Sequence, residues 1–351
     1  EAGMMSETIT LSAVGDVMMW REQVAAAKLP SSRGYDFDRV FRGVKPIFRK
    51  SDLVIGNLET VFAGPDVAHQ LRNAKNGFPR FSCPDELAAA LKKAGFHVLT
   101  TANNHCMDHG FAGVKRTLDV LDRFGLKHTG TARSLGEAKR LLVVPVKGVN
   151  VAILAYTYGT NGISPPASKR WAVNLMRAGT IKTDIMRARR EADLVVVAVH
   201  FGREFRRYPT ERQVGLVTQL LKAGADVVLG SHPHVVQPAV VTRVRRPDGK
   251  LHKCAAIFSL GNFVSRRMWN NQRTEQGVIM QIKVEKDQVG RVQLKSVEFI
   301  PTLTKAKSED QPVYAVVPQT KSRASYPEVY RHLKAVPLDR TVRRAARPSA
   351  G

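Results

Sequence analysis

Short apolar runs alternate with longer amphipathic segments through the first two thirds of the chain. The runs are rich in β-branched residues, which is typical of buried strands, and the longer segments repeat apolar residues with helical spacing. We predict strands at Thr8–Val14, Asp52–Ile55, His97–Thr100, Leu194–Val199 and Val227–Leu229. We predict helices at Phe37–Lys50 (interrupted at Pro46), Pro84–Ala94, Phe111–Phe124, Ile181–Ala192 and Glu211–Ala223. Strands that alternate with helices in this way predict a layered α/β core.

Two pairs of strands follow each other without an intervening helix. Arg140–Val146 and Val149–Tyr156 are predicted to form a hairpin about Lys147-Gly148. Gln276–Val284 and Val289–Phe299 are predicted to form a second hairpin. Because hairpins add antiparallel pairs, we expect mixed sheets, packed as a sandwich with the helices outside.

The pattern predicts one domain, which covers residues 8–301. No internal repeat or low-complexity block interrupts it. Residues 302–351 lose their periodicity after Pro301, and we expect a C-terminal extension that is mostly irregular and ends in a basic tail. Residues 63–81 are expected to be a polar loop, because Gly and Pro punctuate them without a clear period.

Five predicted strands end in side chains that can bind a metal ion. These residues are Asp16, Asn57, Glu59, Asn104, His105, His200, His232 and His234. The clearest case is Ala225–Pro238, where a buried run meets Gly230 and then presents two histidines one residue apart. The C-terminal ends of strands are where α/β proteins usually build their sites. Carboxylate, amide and imidazole ligands without thiolates suit a divalent ion such as Mn, Fe, Zn, Mg or Ca.

Each of these signals also has a purely structural explanation. A Gly-Asp pair after a strand is common, the Asn-Asn-His sequence can be a turn, and a single histidine can be a hydrogen-bonded structural residue. Five strand ends of the same character nevertheless favour one shared site.

The charge of the chain narrows its expected partners. The 351 residues carry a formal net charge of +25, which favours an anionic polymer, phosphate esters or an anionic membrane surface. A basic surface that is merely solvated is the alternative. The sequence has no RNA-recognition, zinc-finger or helix-turn-helix signature, so nucleic acid is not the expected partner. Three cysteines without C-x-x-C spacing argue against a disulfide framework and a structural zinc site.

The hydropathy of the chain predicts no integral membrane segment. No apolar run reaches the length of about 18 residues that a spanning helix requires, and no signal-peptide pattern occurs. For the chain as given, we therefore expect a cytoplasmic protein. If an N-terminal anchor has been trimmed, we expect a membrane-associated or extracellular protein instead.

Six motifs follow one another between about Ile9 and about Ile300. They are Gly15-Asp16-Val-Met-Met, Gly56-Asn57-Leu-Glu59, Ala102-Asn-Asn104-His105-x-x-Asp108-x-Gly110, His200-Phe-Gly202-x-Glu204, Gly230-Ser-His232-Pro-His234-Val-x-Gln237 and Ser259-Leu-Gly261-Asn262-Phe263. In this order they resemble the motif series of the CapA family, which comprises capsule and poly-γ-glutamate biosynthesis proteins related to calcineurin-like metallophosphoesterases. The resemblance implies a four-layer αββα sandwich of the metallophosphoesterase type, with mixed sheets and a metal cluster at the strand C-termini.

The resemblance also implies roles for individual residues. Asp16 stands where the superfamily has its first metal-binding aspartate. Asn104 and His105 match a pair made of a metal-binding amide and a catalytic acid. The later histidine ligands of the superfamily are matched by His200, His232 and His234.

Two positions depart from the superfamily pattern. Met18 stands where its enzymes usually carry a histidine, and Asn57 stands where they carry an aspartate. Glu59 lies nearby and is the expected substitute for that aspartate. Because a histidine and a bridging carboxylate are missing, one bound ion and two weakly bound ions are both compatible with the sequence.

Candidate acid–base and substrate-binding residues lie close to the proposed ligands. The acid–base candidates are His105, Asp108, His109 and Glu204, of which Asp108 and Glu204 alternatively orient the histidines. The substrate-binding candidates are Arg203, Arg206, Arg207, Arg266, Arg267 and Asn262. Arginine holds carboxylates and phosphates in bidentate fashion, and the alternative for these arginines is a solvated basic rim.

Four functions are compatible with this sequence. The leading one is a metal-dependent enzyme of capsule or poly-γ-glutamate biosynthesis that acts on an anionic peptide polymer, with capsule synthase subunits as further candidate partners. A metal-dependent phosphoesterase is the second, and the altered first and second motifs count against it. A metal-assisted epimerase at a peptide Cα is the third. The fourth is a non-catalytic polyanion-binding protein, which would still bind polymer after removal of His232.

Overall fold

Two large β-sheets and eight α-helices make up the part of the chain that the computed structural model describes, residues 7–31 and 34–319. The strands are β1 (Glu7–Val17), β2 (Leu53–Leu58), β3 (Gln70–Arg72), β4 (Pro79–Phe81), β5 (Val98–Thr100), β6 (Lys127–Thr129), β7 (Leu142–Val146), β8 (Val149–Thr157), β9 (Leu194–His200), β10 (Val227–Ser231), β11 (Val236–Arg245), β12 (Leu251–Leu260), β13 (Asn262–Val264), β14 (Gln276–Lys286), β15 (Val292–Ser308) and β16 (Gln311–Pro318). The helices are α1 (Arg21–Ala27), α2 (Asp38–Phe41), α3 (Lys45–Arg49), α4 (Glu86–Ala94), α5 (Gly110–Arg123), α6 (Leu135–Lys139), α7 (Ala178–Glu191) and α8 (Glu211–Ala223).

The larger sheet has the strand order β16-β15-β14-β1-β2-β5-β6, and β13 pairs with the end of β1. Its β1, β2, β5 and β6 are parallel, whereas β14, β15 and β16 extend it with antiparallel pairs. Parallel neighbours require a crossover connection, and helices α2 to α5 lie in these connections. As a result, β1, β2 and β5 end at the same edge of the sheet.

The smaller sheet has the strand order β11-β12-β10-β9-β8-β7. Its four central strands are parallel, with α7 between β8 and β9 and α8 between β9 and β10. The outer strands β7 and β11 are antiparallel to their neighbours, and β7 forms the predicted hairpin with β8. The sheets are mixed, as the sequence predicts.

Apolar side chains fill three layers between these elements. Side chains of both sheets form the central layer, and α1 to α5 cover the outer face of the larger sheet. Helices α7 and α8 cover the outer face of the smaller sheet. Side chains of strand β9 alternate between two of these layers. Val196 faces the other sheet, whereas Val195 and Val197 face the helices. Each such buried side chain contributes about 1.5–3 kcal/mol of transfer free energy. The predicted four-layer αββα sandwich is confirmed.

Two segments differ from their predicted local structure. The helix expected at Phe37–Lys50 is divided into α2, a 3-10 turn at Arg42–Val44 and α3. Pro46 lies at the start of α3, where a missing backbone N–H removes no helical hydrogen bond. The loop expected at residues 63–81 contains the short hairpin of β3 and β4, whose polar strands lack the apolar alternation that reveals a strand in sequence.

The strand content also continues beyond the predicted domain boundary at residue 301. Strand β15 runs through Pro301 to Ser308, and β16 pairs with its second half. The register with β16 starts at Thr302, and Pro301 contributes only its carbonyl oxygen, which accepts the N–H of Gln319 at 2.8 Å, so a proline is tolerated at this end of the ladder. The remainder of the predicted extension, residues 320–351, lies outside the described residues.

Gly15 allows a close approach that places the first candidate ligand. A Cβ at this position would lie 1.9 Å from the carbonyl oxygen of Gly261. That same oxygen accepts the backbone N–H of Asp16 at 3.1 Å. We therefore expect Gly15→Ala to lower the free energy of unfolding by about 3 kcal/mol, as overpacking does. The loss of stability is measured by urea unfolding, with circular dichroism as the signal.

Gly215 provides the matched control for this substitution. It lies within α8, and a Cβ there would have no atom within 4 Å. Gly215→Ala should leave the free energy of unfolding unchanged or raise it by about 1 kcal/mol through helix propensity. Equal urea midpoints for Gly15→Ala and the parent protein would contradict the importance of the close approach.

Candidate metal centre

The predicted ligands come together at the edge where the parallel strands of both sheets end. Asp16 lies near the end of β1, Glu59 follows β2, Asn104 and His105 lie in the turn after β5, His200 ends β9, and His232 and His234 follow β10. All of these side chains are buried. Because both sheets contribute strand ends to this edge, residues far apart in the sequence meet here.

The backbone after β10 has an uncommon conformation at both histidines. The φ angle is 101° at His232 and 58° at His234, in a region that residues other than glycine rarely occupy. Such outliers persist only where the surrounding structure enforces them, and they cluster at functional sites. Gly230 permits the approach to the neighbouring strand, since a Cβ there would lie 2.1 Å from the carbonyl oxygen of Phe258.

Three groups of side chains bring potential ligand atoms within 4.8 Å of one another. The groups are Asp16–Glu59–His234, Glu59–His200–His232 and Glu204–His232–His234. Glu59 belongs to two of them, which places its carboxylate between Asp16 on one side and His200 on the other. Glu59, the predicted substitute for a missing bridging aspartate, is thus shared by two candidate ligand groups.

Several of these buried atoms have no hydrogen-bond partner among the described residues. They are Oδ2 of Asp16, both carboxylate oxygens of Glu59 and Nδ1 of His232. Buried polar atoms are normally hydrogen-bonded, and a cluster of unpaired acceptors is costly unless a cation compensates it. The residues present therefore fit a divalent cation.

The charges of the cluster support the same conclusion. Burial raises the pKa of Glu59, and the negative charge of Asp16 raises it further. Burial lowers the pKa of His200 to about 3 and lowers that of His232 well below its usual range. Both imidazoles are thus neutral and keep a lone pair for a ligand bond.

His234 supplies positive charge to this cluster. Burial disfavours its protonated form, but the charge of Glu59 and the nearby carboxylates of Asp16 (3.2 Å) and Glu204 (3.6 Å) raise its pKa well above the usual range. Burial by itself would raise the pKa of Asp16, but the charge of His234, whose Nδ1 lies 3.2 Å from Oδ2 of Asp16, lowers it. The carboxylates thus require a cation, and a bound divalent ion would provide that charge in place of the imidazolium.

Asn57 has different neighbours from the other predicted ligands. Its Nδ2 donates to Oδ1 of Asp16 at 2.7 Å, and its Oδ1 accepts from Thr100 and Asn103, both at 3.2 Å. The amide orientation is fixed because Asn103 also donates to the carbonyl oxygen of Leu58. Both polar atoms of Asn57 are therefore engaged with the protein, and the side chain orients Asp16.

His200 is oriented by the strand beside it. Its Nδ1 lies 2.7 Å from the hydroxyl of Ser231, and its Nε2 lies 2.9 Å from Oδ1 of Asn104. Nε2 also lies 3.4 Å from Oε1 of Glu59. Asn104 and His200 thus face the same point as Glu59, as two residues of one ligand set would.

Asn262 and Glu204 both approach His234. Oδ1 of Asn262 lies 2.9 Å from Nδ1 of His234, and its Nδ2 donates to the carbonyl oxygen of Thr274 at 2.8 Å. Both amide atoms of Asn262, a predicted substrate-binding residue, are thus engaged with other residues of the protein. Oε1 of Glu204 lies 3.6 Å from Nε2 of His234, and its side chain is 39% exposed, which leaves it accessible from the cleft.

His105 and Asp108 form a buried pair beside the ligand cluster. Nδ1 of His105 lies 2.7 Å from Oδ2 of Asp108, and the same oxygen accepts the backbone N–H of Phe81 at 2.8 Å. Because Oδ2 of Asp108 acts as an acceptor toward Phe81, Nδ1 of His105 is assigned as a second donor to it, and Nε2 is left for other chemistry. His105 belongs to none of the three ligand groups.

The predicted substrate-binding arginines fall into two sets. Arg266 stacks over Trp20 at 4.1 Å from the ring centroid and lies 3.3 Å from Glu22, and Arg267 lies 2.8 Å from Glu275. These two arginines hold the wall of the site. Arg203 lines an open cavity, and Arg206 is exposed, so these two can meet a ligand. Arg207 is half-buried beside them.

Sequence reasoning missed several residues of the site. The ring of Tyr158 lies 4.7 Å from that of His232, and burial together with the charges of Glu204 and Glu59 raises its pKa to about 12. It follows β8 directly, and this position at a strand end is the signal that could have revealed it. An apolar wall of the site consists of Met18, Trp20, Phe81 and Met268. Met18, which stands where related enzymes usually carry a histidine, therefore packs against apolar side chains.

A cavity of about 690 Å³ adjoins the ligand cluster. Tyr158 separates the two, and Met176, Ala178, Arg203 and Arg212 are among the other lining residues. We call it the proximal cavity. Two of its lining side chains are cationic and none is a carboxylate, so it favours an anionic ligand.

The described residues have the fold of the metallophosphoesterases, with the ligand cluster at the strand ends. The calcineurin-like phosphoesterase YfkN from Bacillus subtilis aligns with a TM-score of 0.51 at 10% identity, covering 97% of this chain and 100% of that one. The NAD nucleotidase NadN of Haemophilus influenzae aligns with a TM-score of 0.50 at 11% identity, covering 97% and 67%. At such low identity the likeness shows the fold alone.

The chain belongs to the family described as bacterial capsule synthesis protein PGA_cap, which residues 10–267 match. It is 32% identical over 303 residues to the PGA biosynthesis protein CapA of Bacillus subtilis, covering 84% of this chain and 72% of that protein. It is 33% identical over 281 residues to the capsule biosynthesis protein CapA of Bacillus anthracis, covering 79% and 64%. The resemblance inferred from the motifs is confirmed, and the chain spans part of each relative's length.

None of the helices in residues 7–31 and 34–319 combines the length and the apolar content that crossing a bilayer requires.

Proposed function

We propose that this protein is a metal-dependent hydrolase that acts on an anionic γ-glutamyl polymer during capsule or poly-γ-glutamate biosynthesis. The observation that carries the proposal is the convergence of buried ligand atoms from Asp16, Glu59 and His232 that have no other hydrogen-bond partner among the described residues. Membership of the capsule synthesis family supports the polymer as substrate. The net charge of +25 supports an anionic one.

The proposed metal ligands are Asp16, Glu59, Asn104, His200, His232 and His234. Glu59 would be the shared residue if two ions bind, because it belongs to two ligand groups. Asn57 and Asn262 are proposed as positioning residues for Asp16 and His234, since their amides bond to these side chains. A bound divalent ion would polarise a carbonyl oxygen and lower the pKa of a bound water.

His105 is proposed as the proton donor. Hydrolysis of an amide breaks the C–N bond, adds the oxygen of water to the carbonyl carbon and requires a proton on the leaving nitrogen. Nε2 of His105 can accept the proton that the attacking water loses and donate it to that nitrogen, because Asp108 fixes the ring through Nδ1 at 2.7 Å. Asp108 is then a positioning residue that also stabilises the protonated imidazole.

Arg203 and Arg212 are proposed to bind carboxylates of the polymer next to the reacting bond. Both line the proximal cavity and have no ion pair with a residue in the described part of the chain. Glu204 follows Arg203 in the chain, and its Oε1 lies 3.6 Å from Nε2 of His234. Its charge would repel a carboxylate from the ligand cluster, which favours the placement of the neutral amide there.

The test compares metal content and activity in the parent protein and in His232→Ala/His234→Ala. We expect near-stoichiometric divalent metal and shortening of poly-γ-glutamate in the parent, with both lost in the variant. Metal is measured by plasma mass spectrometry, and chain length by size-exclusion chromatography.

The possible products separate the alternative functions. Hydrolysis of bis-p-nitrophenyl phosphate without polymer shortening would replace the proposal by a phosphoesterase. A change in glutamyl configuration at constant chain length would replace it by an epimerase. Polymer binding that survives in both proteins, with no metal in either after divalent ions are supplied, would indicate a non-catalytic binding protein.

A further inference from the structure

A second cavity lies on the other side of the segment that begins α7. Its volume is about 760 Å³, and α6, α7 and the outer face of β8 contribute to its lining. We call it the distal cavity. Met176 and Ala178 line the proximal cavity, whereas Arg177 and Thr180 line the distal one. The two cavities thus flank the same short stretch of chain.

Cationic side chains dominate the distal cavity. Its lining includes Lys139, Arg140, Arg170, Arg177 and Arg187, with Asp184 as a carboxylate. The carboxylate of Asp184 accepts the hydroxyl of the buried Tyr156, and Arg187 pairs with Glu191 at 3.0 Å. Arg170 and Arg177 are exposed and form no ion pair with any residue in the described ranges. These two guanidinium groups are available to a ligand.

The wall that carries these arginines is anchored to both sheets. The carbonyl oxygen of Ala172 accepts from Ala132 at 2.9 Å, beside β6, and the N–H of Met176 donates to Thr157 of β8 at 2.8 Å. Trp171 packs edge-to-face on Phe111, with the ring centroids 5.9 Å apart. Because the cavity is held in place before a ligand arrives, binding carboxylates there requires little ordering of the backbone.

We infer that the distal cavity binds carboxylates of the same anionic polymer at a distance from the metal centre. The inference rests on the proposed function for its substrate. Available cations occur on both sides of the start of α7, with Arg203 and Arg212 in one cavity and Arg170 and Arg177 in the other. A chain with a carboxylate on every unit can engage both sets, whereas a small anion can engage only one.

Attachment at two places has a consequence for chain length. Once one stretch of polymer is bound, the second binds as an intramolecular event at high effective concentration. Long chains should therefore bind more tightly than short ones by a margin that depends on the distal arginines. A γ-glutamyl trimer would bind at the metal centre alone, so its affinity should not depend on the distal arginines.

The experiment measures the affinity of long-chain poly-γ-glutamate and of a γ-glutamyl trimer by titration calorimetry at low and at moderate salt. The test variant is Arg170→Glu/Arg177→Glu. We expect its affinity for the long chain to fall by about tenfold at low salt, as loss and reversal of two exposed ionic contacts allows. Trimer affinity and metal content should match those of the parent protein.

The matched control is Arg42→Glu/Arg49→Glu. Both residues are exposed, and they lie on the helical layer of the larger sheet, so the change in net charge is the same but the cavity is untouched. This control should bind the long chain like the parent. If the test and control variants lose the same affinity for the long chain, the loss comes from the change in overall charge, and the inference is wrong.

Two further outcomes separate this inference from the proposed function. If the test variant binds both ligands like the parent, the distal cavity has no such role, while the metal centre and its polymer are unaffected. If the parent itself binds metal but no polymer, the proposed substrate is wrong and the inference fails with it.

Discussion

Replacing Glu59 with glutamine is expected to lower metal affinity and activity by about 100-fold or more. Replacing a residue that only orients a metal ligand already lowers metal affinity or activity by about 10- to 100-fold. Glu59 belongs to two of the three ligand groups, and neither of its buried oxygens has a hydrogen-bond partner among the described residues. Glutamine preserves the shape but removes the charge and presents an N–H donor toward the cation. Metal analysis and polymer cleavage measure both losses.

The same substitution should have the opposite effect on the metal-free protein. Burial and the charge of Asp16 both disfavour the ionised form of Glu59, so removing this carboxylate relieves a cost of folding. With chelator present, the variant should unfold at a temperature at least as high as the parent. With metal at about 100 times its Kd, the parent should gain about 2.7 kcal/mol, and the order should reverse.

Glu191→Gln is the control for the loss of one negative charge. Glu191 ends α7 and pairs with Arg187 on the surface, away from the ligand cluster. Its metal content and metal-dependent stabilisation should equal those of the parent protein. Full metal content in Glu59→Gln would show that Glu59 is not a ligand and would leave the cluster without its shared carboxylate.

Local signals predicted the framework of this fold well. Helix α8 has the predicted bounds Glu211–Ala223, because Thr210 caps its first turn by accepting the N–H of Gln213 and Gly224 follows its last residue. The parallel strands were found because they are buried on both faces and read as continuous apolar runs. Each of these features is encoded in a few neighbouring residues.

Elements without such local signals were missed. The strands β3 and β4 are short and largely polar, and backbone pairing across the hairpin holds them together. The loss of periodicity after Pro301 predicts the end of the ordered pattern, but whether a proline ends a strand depends on which neighbour pairs beside it. That neighbour, β16, follows β15 in the chain, and its register with β15 starts at Thr302, directly after the proline.

The meeting of the site residues could be predicted, but not all of their partners. Parallel strands end at one edge, so metal-capable residues at several strand ends are expected to converge. An asparagine, in contrast, can either bind a metal ion or orient a neighbouring ligand. The residues around Asn57 in the sequence do not show which of these two roles it has. Only its 2.7 Å contact with Asp16 separates the two roles. Similarly, Arg266 stacks on Trp20, a residue far away in the chain.

His105→Ala is expected to lower kcat by about 10²- to 10⁴-fold, the usual contribution of a general acid. The histidine lies outside the three ligand groups, so metal content should be unchanged. Asp108→Asn should lower kcat less, by about 10- to 100-fold, because the amide oxygen can still accept from Nδ1 but no longer stabilises the imidazolium. KM should change little in both variants, since neither side chain is proposed to bind the carboxylates of the polymer.

His128→Ala is the matched control for this pair of variants. His128 lies 2.8 Å from Asp122 in the segment around β6 and thus reproduces the carboxylate–histidine contact outside the ligand groups. Its kcat should equal that of the parent, because the contact alone has no catalytic consequence where no ligand cluster adjoins it. If His105→Ala keeps the parent kcat while retaining its metal, another group must protonate the leaving nitrogen. Glu204, which reaches His234 from the exposed side of the cluster, would then be the residue to replace next.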